Sequence, residues 1–578
     1  MTSKRAHHHC SHFGFGFPHL VGVGLVLYHD RHFSKENLGH RPIEFARDKS
    51  PTTIHGPEHE TQNKQAQTTK NDRTNNPQVT MGCVQSQRAV LTQHGVAGTV
   101  GTDVVTSIIQ TFFSEKDFAK CIVRMETSRD TPIESVYKID YENELGRGAG
   151  GIVRKATHLV TGDFFAVKCL EKKRVNTTEE GLDRLRNEIA LMCEIDHPNI
   201  VRIREVYESD DMLYIVQDLC TGGELFDRLE VVGRFSEAES ARHIKKMASA
   251  ISYLHEHGIC HRDLKLENWL YMVSGELVLI DFGLSKHFEK GQHLNDAVGT
   301  PYTVAPEIIR EDYDEKVDIW ALGVIAYLLL SGETPFGGLD GEEADEVANR
   351  ISQCKLSFEP SCIWNDVSDT AKAFVRSMLA LDSEQRPDAK QILKDPWIIN
   401  VHPCQNVLLK PATVHAILGF RELSDFKKLQ SEILSFTLFP EQVIEVREEF
   451  EKIDTEGCGE VSLVALQRAV SVAVEADVLE AAFNSIKLRR EALGIQWHEF
   501  LAAMISLAHV DERNMRLAFD RLDRNGKGYL TFGDLFYFGQ LSPVFGNCCA
   551  LSSDHSIMTF ADFKSFHNFS GDGIQMRC

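Results

Sequence analysis

Two acids and one amide near the middle of the chain have the types and spacing needed to handle a metal ion and a hydroxyl group. The segment 261–268 reads His-Arg-Asp-Leu-Lys-Leu-Glu-Asn, and the apolar stretch 277–280 leads directly into Asp281. Asp263 could accept the proton of a hydroxyl, and Asn268 and Asp281 offer oxygen ligands for a Mg²⁺ ion that bridges phosphates. We therefore predict that all three residues take part in phosphate chemistry.

A glycine-rich turn and a lysine further upstream could bind the phosphates themselves. The glycines of a GxGxxGxV pattern at 146–153 would let backbone N–H groups approach a phosphate closely. The strand-like segment 165–168 ends in Lys168, which could hold the α- and β-phosphates, and Glu188 could pair with this buried cation. The predicted nucleotide-binding residues of the turn are Leu145, Gly146, Arg147, Gly148, Ala149, Gly150, Gly151, Ile152 and Val153.

In this order and at these spacings, the segments resemble the eukaryotic protein kinase family across residues 137–400. Ala305-Pro306-Glu307 would close the activation segment, and Arg386 could pair with Glu307. Lys265 and Gly299-Thr300-Pro301 resemble the Ser/Thr branch of the family, which adds Lys265 to the catalytic residues. The resemblance implies an α+β bilobal protein kinase fold, ATP and Mg²⁺ as cofactors, and transfer of the γ-phosphate to protein substrates.

The same resemblance assigns roles at the hinge between the two lobes and at the substrate site. Asp218 and Cys220 fall in the hinge, so we expect them near the nucleotide, and Gln217 would be a polar gatekeeper. Glu224 and Glu267 resemble the acids that recognise basic residues upstream of the target Ser or Thr. A ribose contact or a solvated surface position is the alternative for these two acids.

The activation segment carries a fixed acid at a position of interest. Asp296 lies three residues before Gly299, where many related kinases have a phosphorylated Thr. Arg262, next to Asp263, usually seeks an anion in this segment, and a permanent carboxylate could satisfy it. We therefore expect activity without phosphorylation of the segment, with a solvated surface acid as the alternative.

Residues 441–570 repeat a helix–loop–helix pattern about four times. An EF-hand repeat behind a kinase resembles the calcium-dependent protein kinases of plants and protists, which implies an all-α, calmodulin-like EF-hand domain. In that family a junction helix, here within 401–440, blocks the substrate cleft until the calcium-loaded module withdraws it. One helical face of this stretch carries four apolar residues, and a plain packing helix is the alternative. These residues are Phe426, Leu429, Ile433 and Phe436.

The calcium loops themselves are degenerate, because a loop needs oxygen ligands at positions 1, 3, 5, 9 and 12 and Gly at position 6. The loops at 454–465, 488–499 and 551–562 each lack several of these ligands. The loop at 523–534 is the best of the four but has Lys527 at position 5. We expect weak calcium binding at this loop or none, with Asp523, Asn525, the carbonyl of Tyr529, Thr531 and Asp534 as ligands.

Three functional hypotheses fit this combination of domains. The chain could be a Ser/Thr kinase regulated by calcium through the loop at 523–534, or an active kinase whose EF-hand module acts by packing without calcium. A third hypothesis is a calcium-sensing scaffold with an incidental kinase fold. The intact set of Lys168, Asp263, Asn268 and Asp281 argues against the scaffold.

Composition restricts the partners. The 578 residues include 62 Lys and Arg against 84 Asp and Glu, a formal charge of −22. A chain this acidic is a poor general binder of nucleic acid and suits basic peptides or divalent cations better. The 14 Cys include no CxxC pair, which indicates free thiols in a reducing compartment.

The N-terminal region falls into two segments. Residues 1–80 are predicted to be disordered or a mispredicted extension, and residues 81–136 begin with Met-Gly-Cys-Val-Gln-Ser, an N-myristoylation pattern. The pattern acts only on an exposed N-terminal Gly. We therefore predict a cytoplasmic kinase that is membrane-associated, through Gly82 and Cys83, if translation starts at Met81. Apolar spacing within 103–125 predicts a short amphipathic helix.

Overall fold

The computed structural model describes residues 124–127, 131–148, 151–172, 179–339, 342, 344–401, 408–470, 474–487, 494–523, 526–531, 533–535 and 557–568. The predictions for residues 1–80 and for Met81, Gly82 and Cys83 therefore lie outside the described residues. No helix within the described ranges is both long enough and apolar enough to cross a membrane.

The N-terminal lobe is built on a six-stranded sheet in the spatial order β1-β5-β6-β4-β3-β2. All neighbouring strands are antiparallel except β1 and β5, which run parallel. The α-helix α1 (Glu179–Glu194) also belongs to this lobe. The strands are β1 (Arg124–Thr127), β2 (Tyr137–Gly148), β3 (Gly151–His158), β4 (Phe164–Glu171), β5 (Ile203–Glu208) and β6 (Met212–Asp218).

The helix predicted at 103–125 is wrong at its C-terminal end, where the structure has strand β1. Arg124 and Met125 are extended and pair in parallel with Glu205 and Val206 of β5. The edge of β5 would otherwise present unpaired backbone groups, and β1 satisfies them. Residues 103–123 lie outside the described part of the chain.

The C-terminal lobe is mainly helical and packs around α5, in which residues 317–331 are all buried. A capping box between Ser236 and Glu239 begins α3. Strand β7 (Ile259–Cys260) pairs antiparallel with β10 (Lys286–His287), and β8 (Trp269–Tyr271) forms a hairpin with β9 (Leu277–Leu279). The helices are α2 (Leu225–Val232), α3 (Glu237–Glu256), α4 (Pro306–Ile309), α5 (Lys316–Ser331), α6 (Ala344–Gln353), α7 (Ser361–Trp364), α8 (Asp369–Met378), α9 (Ala389–Leu393) and α10 (Pro396–Val401).

The C-terminal region forms paired EF-hands around a separate apolar core. Strand β11 (Glu460–Val461) pairs with β12 (Ile495–Gln496), and β13 (Tyr529–Leu530) pairs with β14 (Met558–Thr559). Each short strand pair joins the loops of two successive EF-hands. The helices are α13 (Ile444–Ile453), α14 (Leu463–Ala469), α15 (Ala476–Ile486), α16 (Trp497–Ala503), α17 (Glu512–Leu522) and α18 (Phe560–Asn568). The predicted fold class is thereby confirmed.

Two further helices, α11 (Pro411–Arg421) and α12 (Asp425–Ser435), occupy the predicted junction. Leu429 and Ile433 are buried in the EF-hand core, and Phe426 packs against it. Phe436 follows α12, and the centroid of its ring lies 5.0 Å from the centroid of the His498 ring. The predicted apolar face is therefore covered by the EF-hand module in this structure.

Candidate active site

Lys168 lies between two carboxylates from different parts of the fold. Its ammonium is 2.5 Å from Glu188 of α1 and 3.3 Å from Asp281, which follows β9. Burial disfavours the charged lysine, but the Asp281 and Glu188 carboxylates outweigh burial and raise the pKa of Lys168. The predicted lysine–glutamate pair therefore joins the sheet to α1 with the cation fixed for phosphate binding.

Asp263 is oriented by two neighbours. Lys265 donates to one carboxylate oxygen at 2.9 Å, and the Thr300 hydroxyl donates to the other at 2.6 Å. Lys265 also reaches the Thr300 hydroxyl at 3.2 Å. The carboxylate is thus held in one orientation beside a cation, as an acceptor for a substrate hydroxyl must be. Our sequence analysis used Thr300 only to identify the Ser/Thr branch, and its hydrogen bond to Asp263 was not predicted.

Asp318 of α5 fixes the backbone of His261 and Arg262, which directly precede Asp263. Its buried carboxylate accepts hydrogen bonds from the N–H groups of His261 and Arg262, both at 2.8 Å. Arg262 has a φ of 67°, a left-handed conformation that is costly for a residue with a side chain. These two hydrogen bonds help to retain that conformation. The contact of Asp318 with this backbone was not predicted, because it joins segments far apart in the chain.

Asn268 and Asp281 fit a site for Mg²⁺. The Asn268 amide nitrogen donates to the Asp263 carbonyl at 2.9 Å, which leaves the side-chain oxygen as the free ligand atom. The Lys168 ammonium lowers the pKa of Asp281 to about 2, so this carboxylate is ionised at neutral pH. When bound, Mg²⁺ neutralises charge on the β- and γ-phosphates. Hard oxygen ligands of this type suit that ion.

The glycine-rich turn connects β2 and β3, with Gly148 opposite Gly151 in the register. Gly151 has a φ of 146°, and a Cβ there would lie 2.3 Å from the carbonyl oxygen of Cys169. Only glycine therefore fits, because the turn lies against β4. Arg147 pairs with Glu144 at 2.6 Å, and Leu145 is half-exposed. Ala149 and Gly150 lie outside the described residues. Ile152 and Val153 pair with β4.

The hinge side chains are engaged by the protein itself. The Asp218 carboxylate accepts a hydrogen bond from Arg204 at 2.6 Å, so it stabilises the lobe rather than facing a ligand freely. Cys220 lies 3.3 Å from the sulfur of Met272, and burial raises the pKa of its thiol to about 12. Glu224 precedes α2, and its backbone bridges to Leu270. The contact between Arg204 and Asp218 was not anticipated, and the roles of Asp218, Cys220 and Glu224 near the nucleotide stay predictions.

The activation segment is anchored at both ends by ion pairs. Asp296 accepts from Arg262 at 2.6 Å and from Lys286 at 2.7 Å. Burial alone would raise the pKa of Asp296, but Lys286 and Arg262 lower it. At the far end, Arg386 and Glu307 form the predicted pair, which is buried. Both contacts agree with the sequence analysis.

The loop at 523–534 contains its own cation. The Lys527 ammonium lies 2.8 and 2.7 Å from the two carboxylate oxygens of Asp534, the residue at position 12. Asp523 accepts from the N–H groups of Lys527 and Gly528 at 3.0 and 2.6 Å. Thr531 donates to Asp534 at 2.6 Å through its hydroxyl. Three of the predicted calcium ligands, Asp523, Thr531 and Asp534, are therefore already used in hydrogen bonds or an ion pair. Tyr529 lies in β13, and Asn525 is outside the described residues.

The other loops use their acids for capping and turn hydrogen bonds. Asp454 accepts from the N–H groups of Cys458 and Gly459 at 3.0 and 2.8 Å. Glu499 is buried and closes the N-terminus of α16 by accepting from Gln496 at 2.8 Å. Asp562 accepts from both the N–H and the hydroxyl of Thr559 in the same way. These carboxylates thus accept hydrogen bonds from groups of their own loops.

The EF-hand module contacts the segment that follows α1. The N–H and the ring nitrogen Nδ1 of His498 are both 2.7 Å from Asp196. Arg447 of α13 binds Glu276 at 2.9 Å and donates to the Pro198 carbonyl. We call this set of contacts, from residues 196–198 and 276 to the module, the clasp. It was not predicted, because its partners are distant in sequence.

A second group of contacts involves the strand β5. Arg204 donates to the carbonyls of Phe436 and Leu438, which follow the junction helix α12. Arg521 of the EF-hand module donates to the Arg204 carbonyl at 2.8 Å. Arg513 pairs with Asp163 at 2.7 Å. The module therefore reaches both β5 and the turn between β3 and β4.

The comparisons with known proteins agree with this geometry. The protein kinase domain family matches residues 139–398. The chain is 33% identical over 412 residues to calcium-dependent protein kinase 14 of Arabidopsis thaliana, covering 70% of this chain and 76% of the relative. It is 35% identical over 406 residues to calcium-dependent protein kinase 9 of Oryza sativa subsp. japonica, with 69% and 70% covered. It is 34% identical over 441 residues to calcium-dependent protein kinase 5 of Plasmodium falciparum, covering 75% of this chain and 76% of the relative.

Family membership and site geometry support the same activity. The chain is an ATP- and Mg²⁺-dependent Ser/Thr protein kinase acting on protein substrates, with an EF-hand module as its regulatory part, and the scaffold hypothesis is not favoured. Lys168, Glu188, Asp263, Asn268 and Asp281 lie where phosphoryl transfer needs them. The chain belongs to the calcium-dependent protein kinase family.

Proposed function

We propose that this kinase is kept active by its docked EF-hand module with a shallow dependence on calcium or none. The observation that carries the proposal is the Lys527 ammonium on both oxygens of Asp534. The same carboxylate would have to supply the bidentate contact to calcium. Burial alone would raise the pKa of Asp534, but Lys527 and Thr531 lower it, so the ion pair is stable near neutral pH.

The loop at 454–465 supports the proposal in a different way. Gly459 has a φ of 77°, and a Cβ at this position would lie 2.1 Å from the ring of His197 in the kinase. The loop thus makes close contact with the kinase at position 6, the glycine that forms the sharp turn of a calcium loop. Burial raises the pKa of Asp454 to about 6, which also disfavours the charged carboxylate that a calcium ion needs.

Through the clasp, docking of the EF-hand module would affect the catalytic residues. Glu188, which orients Lys168, lies on α1, and α1 ends at Glu194, two residues before Asp196. By holding residues 196–198, the clasp restrains the end of this helix. Displacing the module would release the helix and loosen the Lys168–Glu188 pair. The module would therefore act by packing on the kinase as well as by controlling the junction.

The junction helices would be the inhibitory element in the undocked state. In the structure their apolar faces lie in the EF-hand core, with Leu429 and Ile433 buried. We propose that blockage of the substrate cleft requires α12 to leave that core. The exposure of these side chains would be costly, at roughly 1.5–3 kcal/mol for each large apolar residue, and so favours the docked form.

Substrates are proposed to carry basic residues near the target Ser or Thr. Glu267 accepts from the Tyr302 hydroxyl at 2.6 Å, next to the segment that bears Thr300. Glu224 precedes α2 on the same lobe. Peptide arrays in which Arg is replaced at single positions would identify the acid that recognises each basic residue.

We further propose membrane attachment of a product starting at Met81. One myristoyl chain on Gly82 gives marginal binding, so a second acyl group on Cys83 would be needed for stable attachment. A product that retains residues 1–80 would stay in the cytosol. Mass spectrometry of the native N-terminus decides between the two, and peptides from residues 1–80 in native protein would contradict attachment.

The calcium part of the proposal is tested by initial rates on a basic Ser peptide in EGTA and in millimolar calcium. We expect the two rates of the full chain to agree within about twofold, because coupling to a site of this kind is weak. A rise of more than about tenfold on adding calcium would contradict the proposal. Asp263→Asn serves as the inactive control for background phosphorylation.

A further inference from the structure

The C-terminal lobe has a cavity that none of the catalytic residues lines. Its volume is about 360 Å³, and it lies between α2, the first half of α3 and the hairpin of β8 and β9. Its lining includes Arg228, Arg234, Phe235, Arg242, Lys246 and Tyr271. We call this site the basic groove.

The groove is cationic although the whole chain has a formal charge of −22. Four Arg and Lys side chains line it against one acid, Glu239. Arg234 pairs with Asp366 at 3.2 Å at the surface, and Lys246 pairs with Glu276. Neither Arg228 nor Arg242 has an ion-pair partner in the part of the chain that the structure describes, and both are exposed.

A cation–π contact restricts one of these arginines, Arg228. The Arg228 guanidinium lies over the Tyr271 ring, 4.0 Å from its centroid, and this contact restricts the side chain of an otherwise exposed residue. Tyr271 is itself hydrogen-bonded to the ring of His243 at 2.7 Å. Burial and the nearby Lys246 and Arg228 lower the pKa of His243 to about 4, so the positive charge near neutral pH comes from Arg and Lys.

Apolar surface adjoins the charged part. Val231 and Val232 at the end of α2 are 86% and 51% exposed, and Val232 lines the groove. Phe235 and Leu277 form part of its floor. A ligand would therefore meet both guanidinium groups and aliphatic contacts within one site.

We propose that the basic groove binds an acidic docking segment of a protein partner, in which carboxylates flank an aliphatic side chain. Arginine binds carboxylates in a bidentate manner, which suits the two arginines without ion-pair partners. Val232 and Phe235 accept the aliphatic side chain, and a free inorganic anion would leave this apolar surface unused. A flat anionic membrane could not fill a recessed cavity, so a peptide is the better fit.

Fluorescence anisotropy of the full chain, without ATP, tests this assignment. The probe is a fluorescein-labelled peptide of alternating Glu and Leu, and its matched peptides carry Gln for Glu or Ser for Leu. We expect the Arg228→Glu/Arg242→Glu double variant to weaken binding by at least about tenfold. Lys355→Glu, an exposed charge outside the groove, removes the same kind of charge and should change binding by less than about twofold.

Several outcomes would overturn the proposal. They are the absence of peptide binding to the unmodified chain, equal binding by the double variant, or an equal loss in Lys355→Glu. Binding to phosphatidylserine vesicles but not to the peptide would assign the groove to membranes instead. Phosphorylation of a short basic Ser peptide should be unchanged in the double variant, which verifies folding and separates this inference from the proposed regulation.

Discussion

Arg262 donates to Asp296 at 2.6 Å, so the residue beside the catalytic acid is anchored to the activation segment by an encoded carboxylate. Asp296→Ala should lower kcat roughly tenfold, since a charge-assisted hydrogen bond is worth about 1.5 kcal/mol or more. Initial rates at saturating ATP and peptide measure this effect. Phosphatase treatment of the unmodified chain should leave kcat unchanged, and a phosphatase-sensitive enzyme would contradict the assignment.

Asp263 should be indispensable, and Thr300 should position it. Asp263→Asn removes the proton acceptor and should lower kcat by about 10²–10⁴. Thr300→Val removes the 2.6 Å hydrogen bond but keeps the side-chain shape, so a smaller loss in kcat is expected. Thr300→Ser restores the hydroxyl and should recover most of the rate, which a merely space-filling role would not explain.

Lys527 should be the main obstacle to calcium at its loop. Lys527→Asp with Asp534→Glu removes the internal cation and supplies the longer bidentate ligand, so binding should tighten by at least about tenfold. Isothermal calorimetry of the full chain measures this directly. Two or more sites tighter than about micromolar in the unmodified chain would show that the degenerate loops had been misjudged.

The clasp should weaken as pH rises from about 6 to 8. Burial lowers the pKa of His498, but Asp196 outweighs this and raises it, so its stabilisation is complete below the ordinary histidine pKa and is lost above the raised value. Burial raises the pKa of Glu432 to about 7, which adds a penalty that grows as pH rises from the ordinary Glu value to that point. Both effects have the same sign.

Urea unfolding of the full chain at several pH values measures this dependence. His498→Gln should lower the free energy of unfolding by roughly 1–3 kcal/mol at pH 6, because the buried Asp196 loses its nearest cation and keeps only Arg202 at 3.8 Å, and by less at pH 8.5. The difference between the unmodified chain and the variant isolates the clasp from other titrating groups. A difference that stays constant over this range would rule out His498 as the titrating group.

The local motifs of the kinase could be predicted from the sequence, because each one is a short run with a fixed chemical role. The Lys168–Glu188 and Arg386–Glu307 pairs were expected, and both are present. The predicted helix at 103–125 was wrong at Arg124 and Met125, where pairing with β5 overrides the apolar spacing.

Other contacts between distant segments could not be predicted, because no periodicity connects them. Asp318 supports the catalytic loop from α5, and Arg204 takes the Asp218 carboxylate. The clasp between His498 and Asp196 joins residues 302 positions apart. In the loop at 523–534 the sequence indicated repulsion from Lys527, whereas the structure shows that its ammonium is neutralised by Asp534.

The position of Cys220 has a pharmacological consequence. With a thiol pKa of about 12, roughly one molecule in 10⁵ carries the reactive thiolate at neutral pH. Electrophilic inhibitors aimed at this hinge cysteine would therefore react slowly even when they bind well. Selectivity for this kinase would have to come from reversible contacts, for which the buried amide of Gln217 beside the hinge offers a polar handle.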